Sequence, residues 1–403
     1  MENRNGASGL NQLNPRRLIL PIAVVIGLAA AMIYLTGGWN GTAGWNASPT
    51  GTPPPTPANG SPASAAIETK LVAWRQLIDA NFAGDQACAS CHEKEFQAHQ
   101  RSGHSHTAIR MSASQLAARL TDGPPYQDTH REQTFRFEQR GDALMVFDDA
   151  HPQTPSLPVS WLLGSGTHAQ TPIWVDEASQ RGLEFRWSYL AHRDGLGLTP
   201  DHERFERFDP ATIECYGRPL DAAGVRACLA CHTTMNPPPE LPIRDDLYIA
   251  NVGCERCHGP RKKHVQMAEQ GLAEQAQPLV QFNDATSYMA VCSQCHRDAR
   301  SVSPDATANE LARFQPYGLQ RSRCYTESPG NMTCSTCHDP HDAVSTSRPQ
   351  HIRNCQQCHQ PNTSHDCPQK PTGDCIQCHM PAVEWTAGIA FHDHWIRTPT
   401  ADE

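Results

Sequence analysis

The stretch TCSTCHDPHD, residues 333–342, holds two cysteines two residues apart, a histidine directly after the second, and another histidine three residues further on. Its core, Cys-x-x-Cys-His, recurs along the chain: CASCH at 88–92, CLACH at 228–232, CERCH at 254–258, CSQCH at 292–296, CSTCH at 334–338, CQQCH at 355–359 and CIQCH at 375–379. These seven copies take fourteen of the seventeen cysteines, and every Cys-x-x-Cys pair is followed by histidine.

Covalent attachment of a c-type haem requires this arrangement. Two sulfurs at this spacing add to the two vinyl groups of one porphyrin, and the adjacent imidazole coordinates the iron from below. Seven haems c are therefore expected, held by Cys88, Cys91 and His92; Cys228, Cys231 and His232; Cys254, Cys257 and His258; Cys292, Cys295 and His296; Cys334, Cys337 and His338; Cys355, Cys358 and His359; and Cys375, Cys378 and His379. Structural zinc would pair two Cys-x-x-Cys units, or one unit with spaced histidines, and seven irregularly placed units fit that badly. A thioredoxin-like redox motif would occur once, inside a βαβ pattern, and a disulfide framework needs no histidine after every second cysteine.

Composition points the same way. Only 38% of the residues are hydrophobic and 7% aromatic, against 33 prolines and 27 glycines, which is thin material for a core at this length. Large, flat, mostly apolar porphyrins would take the place of side chains in the interior. The expected architecture is a multihaem cytochrome c fold, mainly short α-helices and irregular loops wrapped around haems, and the haem-free chain is expected to be unfolded. In the long gap between His92 and Cys228, the segments TFRFEQRGDALMVFDD and IWVDEASQRGLEFRWSYL alternate apolar and polar residues, so a small β-hairpin insertion is expected over about 131–190. AIETKLVAWRQLIDANF, 66–82, has the apolar spacing of a helix, and GPRKKHVQMAEQGLAEQAQ and SPDATANELARF carry further helix signals.

Arg16 and Arg17 precede an uncharged run from Leu18 to Leu35. A run of about 18 apolar residues just suffices to span a bilayer, and flanking arginines hold their side in the cytoplasm. The expected organisation is a cytoplasmic stretch at 1–17, a transmembrane signal anchor at 18–36, a flexible Pro/Gly/Ser/Ala-rich tether at 37–65 and a heptahaem domain at 66–403. This describes a single-pass protein of a bacterial inner membrane with its haem domain in the periplasm. A signal peptide cleaved near Ala29–Ala31 is the alternative, and it exports the body equally. The formal charge of −9 argues against a nucleic-acid partner and for a redox protein with a basic docking face.

Subtracting the seven motif histidines from 21 leaves fourteen, enough for a second axial ligand on every iron. His341 in CHDPH is too near His338 along the backbone to reach the opposite face of the same porphyrin, so it is free for a neighbouring one. Taken together, CHDPH, the CHGPRKKH of 257–264, SGH at 102–104, LGSGTH at 163–168, CHMP at 378–381 and DHWI at 393–396 resemble the multihaem c-type cytochrome family related to the tetrahaem electron acceptor of hydroxylamine oxidation. The resemblance covers about residues 85–397 and implies distal ligation by His104, His168, His264, His341 and His394, with His365 a sixth. His106, His192, His202 and His392 compete for a seventh place, and Met380 is expected to pack against a ring. Seven motifs depart from the tetrahaem pattern, so no distal histidine is assigned to a particular haem. Of the cysteines outside the motifs, Cys324 and Cys367 both flank the C-terminal cluster and are expected to form a disulfide in an exported protein, leaving Cys215 free.

Three functions stay open at this point. Two imidazoles on an iron leave no site for a substrate, so the leading expectation is an electron carrier linking a quinol-linked or soluble donor to a reductase or another cytochrome. The second is an oxidoreductase of a small nitrogen or sulfur compound using one five-coordinate haem; it lacks a Cys-x-x-Cys-Lys motif, though Tyr216, Tyr317, Tyr325 and Lys263 are available to a site. No catalytic residue is singled out. The third is a filament that conducts between stacked protomers.

Overall fold

The computed structural model describes residues 62–398 apart from 278, 279, 281, 283, 329, 331, 361–366, 368–373 and 387. The chain divides into two units, Met1–Trp39 and Asn40–Glu403, and every described residue belongs to the second. The cytoplasmic stretch 1–17, the anchor at 18–36, the tether up to residue 61 and His365 therefore lie outside the described residues. No helix among the described residues is long and apolar enough to cross a membrane. The expected tether gives way earlier than residue 65, because helix α1 (Pro62–Asn81) already includes Pro62–Ala65. Proline is well placed in a first helical turn, and the alanines that follow are strong helix formers. On α1, Leu71 and Trp74 are buried, and the Trp74 indole N–H donates to the Leu247 carbonyl at 3.2 Å.

Residues 108–220 form the part that side chains hold together. A seven-stranded antiparallel sheet contains β1 (Ala108–Arg110), β6 (Trp161–Leu163), β7 (Ala169–Asp176), β8 (Arg181–Phe185) and β11 (Gly217–Leu220) in that order, with β9 (Trp187–Leu190) pairing β7 and β10 (Gly195–Leu198) pairing β9. A second sheet runs β2 (Tyr126–Asp128), β3 (Gln133–Arg140), β4 (Ala143–Asp148) and β5 (Leu157–Pro158). Strand β3 buries Phe135 and Phe137 on one face, β4 buries Leu144 and Val146, and Leu162, Leu183, Phe185, Trp187 and Tyr216 join them in one apolar cluster. Each large apolar side chain fully buried in this way contributes about 1.5–3 kcal/mol. Gly141, at φ 60°, opens the two-residue β3–β4 turn between Arg140 and Ala143, a position that favours a residue without Cβ.

This is not the small hairpin insertion over 131–190 that the sequence suggests. The two expected hairpins are present as β3–β4 and β7–β8, but they belong to two sheets of eleven strands in all. The strands missed are short, and β6 buries all three of its residues, so no alternation betrays it. The same region encloses an ion pair: Arg186 and Asp128 are joined with no side-chain exposure on either, and Arg186 Nη1 donates to the His202 carbonyl at 2.7 Å.

Around this module the chain is built from short pieces. They include α2 (Glu93–Arg101), α3 (Ala222–His232), α4 (Cys254–His258), α5 (Lys262–Ala268), α6 (Ala285–His296), α7 (Arg348–Gln356) and α8 (Cys375–His379), with two-stranded pairs β12 (Thr233–Met235)–β13 (Ile249–Ala250) and β14 (Ala382–Thr386)–β15 (Ile389–His392). Helix α3 lies against the large sheet at Gly182, where a Cβ would come within 2.7 Å of Val225, so only glycine admits this approach. Among the described residues from 285 onward the buried apolar side chains are only Ala285, Met289, Ala312, Phe314, Leu319, Ile376 and Ile389.

Candidate haem-binding sites

Four of the seven motifs sit on regular α-helix. Helices α3 and α6 end in CLACH and CSQCH, and α4 and α8 consist of CERCH and CIQCH. Positions i, i+3 and i+4 share one face of a helix, so both thiols and the imidazole project to the same side, as a single porphyrin demands. Three of the four start on side-chain caps that fix where the motif falls: Asp221 accepts from Gly224 N at 2.7 Å, Asp284 from Ser287 N at 2.8 Å and Asp374 from Gln377 N at 3.2 Å. The first and fifth motifs use tighter turns, Asp85–Cys88 and Cys334–Thr336, and the sixth begins at the end of α7.

The fold brings distant histidines to these motifs. The rings of His92 and His264 have centroids 6.5 Å apart and planes inclined by 29°. His296 meets His104 at 6.1 Å and 72°, His258 meets His341 at 6.1 Å and 7°, and His338 meets His394 at 6.2 Å and 34°. A metal–imidazole bond is about 2.0 Å and the bound nitrogen lies ~1.1 Å from its ring centre, so two imidazoles sharing one ion in line have centres roughly 6 Å apart. All four pairs fit that separation, and each joins one motif histidine to one histidine expected as a distal ligand. The fold thus sets His264 beside the first motif, His341 beside the third, His104 beside the fourth and His394 beside the fifth.

Hydrogen bonds orient some of the motif and partner rings, while the buried Nδ1 atoms of His264 and His338 have no partner among the described residues. Nδ1 of His232 faces the Thr107 carbonyl at 2.9 Å, Nδ1 of His379 the Arg397 carbonyl at 2.8 Å and Nδ1 of His394 the His392 carbonyl at 2.9 Å. Such a contact fixes the tautomer and leaves Nε2 for metal. Burial lowers the pKa of His104, His168, His232, His258, His296 and His338, and pushes that of His394 down to about 4. The neutral imidazole is the form that binds iron.

Not every expected ligand is brought to a motif. The His168 ring lies against Phe391, with centroids 5.2 Å apart, rather than against a motif histidine. Among the described residues no second histidine ring faces His232 or His379. Of the competitors for a seventh place, His202 Nε2 meets Glu184 at 3.1 Å and His392 Nδ1 meets the Met380 carbonyl at 2.7 Å. His351, which the sequence reading passed over, lies 5.7 Å from His338, but its Nε2 is engaged with the Ser345 carbonyl at 2.8 Å. Cys324 and Cys367 are both free, so the expected disulfide is not formed; Cys324 lies instead beside Cys337 and Cys358. Cys215 is free as expected, enclosed in the β core, where burial pushes its thiol up to about 12.

The motifs also touch one another. The thiol of Cys88 leans on Cys254, Cys231 on Cys295, and Cys292 on Cys334. Arg256 Nη2 donates to Gln294 Oε1 at 3.1 Å, linking the third motif to the fourth. Cys337 senses the charge of Cys358, and Cys355 that of Cys375. The motifs therefore follow one another in space as first, third, fourth, fifth, sixth and seventh, with the second beside the fourth. A residue with no sequence signal ties the start of this series: Glu255 accepts from the backbone N–H groups of Ala83 and Gly84 at 2.9 Å and of Arg261 at 2.7 Å. Asp85, His99 and Cys254 also cluster, but Asp85 receives the Cys254 N–H at 2.8 Å and His99 Nε2 meets the Val252 carbonyl at 3.0 Å, which is a hydrogen-bonded joint.

Known proteins share parts of this pattern. The family model for cytochrome c554 and c-prime matches residues 197–259, which contain the second and third motifs. The multiheme cytochrome MtrA of Shewanella baltica (strain OS185) is 23% identical over 150 residues, a match covering 28% of this chain and 43% of that protein. The outer cell wall cytochrome OcwA is 15% identical, with a TM-score of 0.45 over 78% of this chain and 79% of that one. The repeated pentapeptide and the sequence matches together support a multihaem cytochrome of the c type.

Proposed function

We propose that the chain is a heptahaem electron carrier, exchanging electrons between a quinol-linked or soluble donor and a reductase or another cytochrome. The observation that carries this is the set of four imidazole pairs at 6.1–6.5 Å, each joining a motif histidine to one from elsewhere in the chain. Each bound haem supplies a one-electron couple. The chain's own contribution would be two imidazoles held about each of four irons, His92 with His264, His258 with His341, His296 with His104 and His338 with His394, which would exclude substrate and leave little to rearrange when the charge changes. The succession of touching motifs supports the same reading.

The finer parts of the proposal rest on sequence alone. They are seven haems, a kinship with the tetrahaem acceptors of hydroxylamine oxidation, and a periplasmic domain held at the inner membrane by residues 18–36. His232 and His379 favour a second reading, an oxidoreductase with one open iron, because no second histidine ring faces either among the described residues. Carbon monoxide added to the reduced protein separates the two. An unchanged spectrum supports the carrier, and a shift of one haem supports the oxidoreductase.

A further inference from the structure

One hydroxyl joins the histidine of the second motif to the histidine set beside the fourth. Thr107 follows the short turn Gly103–His106 that carries His104, and its Oγ1 makes three contacts. It donates to the His232 carbonyl at 2.9 Å and to the His104 carbonyl at 3.3 Å, and it accepts the Val252 N–H at 3.1 Å. The Thr107 carbonyl is occupied as well. It accepts from Gly164 N at 2.8 Å and faces His232 Nδ1 at 2.9 Å, so both of its lone pairs are used.

A threonine that only closed its own turn would bond the carbonyl three residues back and stop there. Here that local bond is the longer of the two, and the shorter one reaches His232, 125 positions away in the chain. Thr107 therefore holds His232 at two points: its carbonyl sets the ring and leaves Nε2 free, and its hydroxyl fixes the backbone from which the ring hangs. A hydroxyl has one proton, so the carbonyls of His232 and His104 share it, and what one gains the other loses. The His104 ring in turn lies 6.1 Å from that of His296 in the fourth motif. Val252 N closes the joint by donating to His104 O at 3.0 Å as well as to Thr107.

We propose that Thr107 is a positioning residue that couples the ligand sets of the second and fourth motifs, so that disturbing its hydroxyl moves the potentials of both haems. This rests on the carrier reading above, in which His232 and His104 are axial ligands. The orientation of an imidazole and the hydrogen bond on its outer nitrogen tune the metal it binds, and Thr107 governs both for His232.

The test is a redox titration of the holoprotein, followed by low-temperature electron paramagnetic resonance, for the wild type, Thr107→Val and Thr107→Ser. Valine keeps the shape and the backbone carbonyl and removes the hydroxyl alone. The low-spin signal that His104→Ala converts to high spin marks the fourth-motif haem. In Thr107→Val that haem and one other should shift in midpoint potential while the rest hold, and Thr107→Ser should return both to their wild-type values. A shift that spares the fourth-motif haem, moves it alone or moves every haem alike would overturn the coupling. Should Thr107→Val lose haem by intact mass, Asn251→Gly loosens the same joint from outside, because Asn251 Oδ1 accepts the Ala108 N–H at 2.8 Å and its φ of 62° suits glycine. The same two haems should then shift by a smaller amount, and a different set would sink the proposal. Failure of the underlying reading shows separately: an unchanged spectrum in His104→Ala would mean that His104 binds no iron, and the coupling would go with it.

Discussion

The β module of residues 108–220 and the motif-rich segment of residues 285–398 are similar in length and opposite in construction. The first buries Phe135, Phe137, Phe185, Trp187 and Tyr216 in one cluster and encloses even its charged pair, Arg186 and Asp128. The second offers seven scattered apolar side chains, most of them small or aliphatic, among short helices and turns. A chain stretch of that length cannot offset its conformational entropy with so little burial. What the second region has instead is sulfur and imidazole, with histidines strapping one motif to the next. His341 leaves the fifth motif to meet His258 of the third, and His394, beyond the seventh, meets His338 of the fifth. One half is held by side chains, the other by its cofactors, and the expectation that the whole haem-free chain unfolds gives way to one for the second half alone.

The strongest way to break this comparison is to deny the chain its haems. Expressed without haem attachment, the polypeptide should keep slow amide exchange over Gln133–Leu220 and lose it over residues 285–398. Uniform protection, or none, would end the distinction. The converse perturbation is Trp187→Ala, which removes the ring meeting Phe137 edge-on at 4.8 Å. Truncating a buried aromatic costs about 3–5 kcal/mol, so exchange in the β module should quicken while the haem absorption bands stay as they are. Asp128→Asn leaves buried Arg186 without its counter-ion and should cost the module a comparable ~3–5 kcal/mol, read as a lowered midpoint in denaturant.

The smallest effect concerns pH. Burial alone would raise the pKa of Glu184, but the hydrogen bond with His202 and the charge of Arg218 prevail and hold it below the usual carboxylate range. The unfolded chain therefore takes up the Glu184 proton at higher pH than the folded one. The stabilisation is complete above the unfolded value of about 4.3 and is lost as pH falls from there through the folded value. Glu184→Gln should flatten the stability curve in that acid range, and a variant with the wild-type slope would contradict it.

What the sequence discloses follows the same divide. The Cys-x-x-Cys-His residues are local, because i, i+3 and i+4 meet on one helical face whatever surrounds them, and His104, His264, His341 and His394 stand in short motifs whose family resemblance implies distal ligands. Their partners are not local. That His264 closes on His92, some 170 positions earlier in the chain, depends on how α5 comes to lie beside the first motif. The β module was only half legible, since Gln133–Asp148 alternates cleanly while Trp161–Leu163 and Gly217–Leu220 are short and follow no period of two. The disulfide expectation failed because nearness along a cluster says nothing about where Cys324 turns, and it turns toward Cys337 and Cys358.

The central claim is that histidines remote in sequence complete the axial pairs of the motif histidines. Low-temperature electron paramagnetic resonance of the oxidised holoprotein and its His341→Ala variant tests it most directly. One low-spin signal should give way to one high-spin signal, with haem content unchanged. An identical spectrum in the variant would mean that His341 binds no iron, and the pairing read from the ring geometry would be wrong.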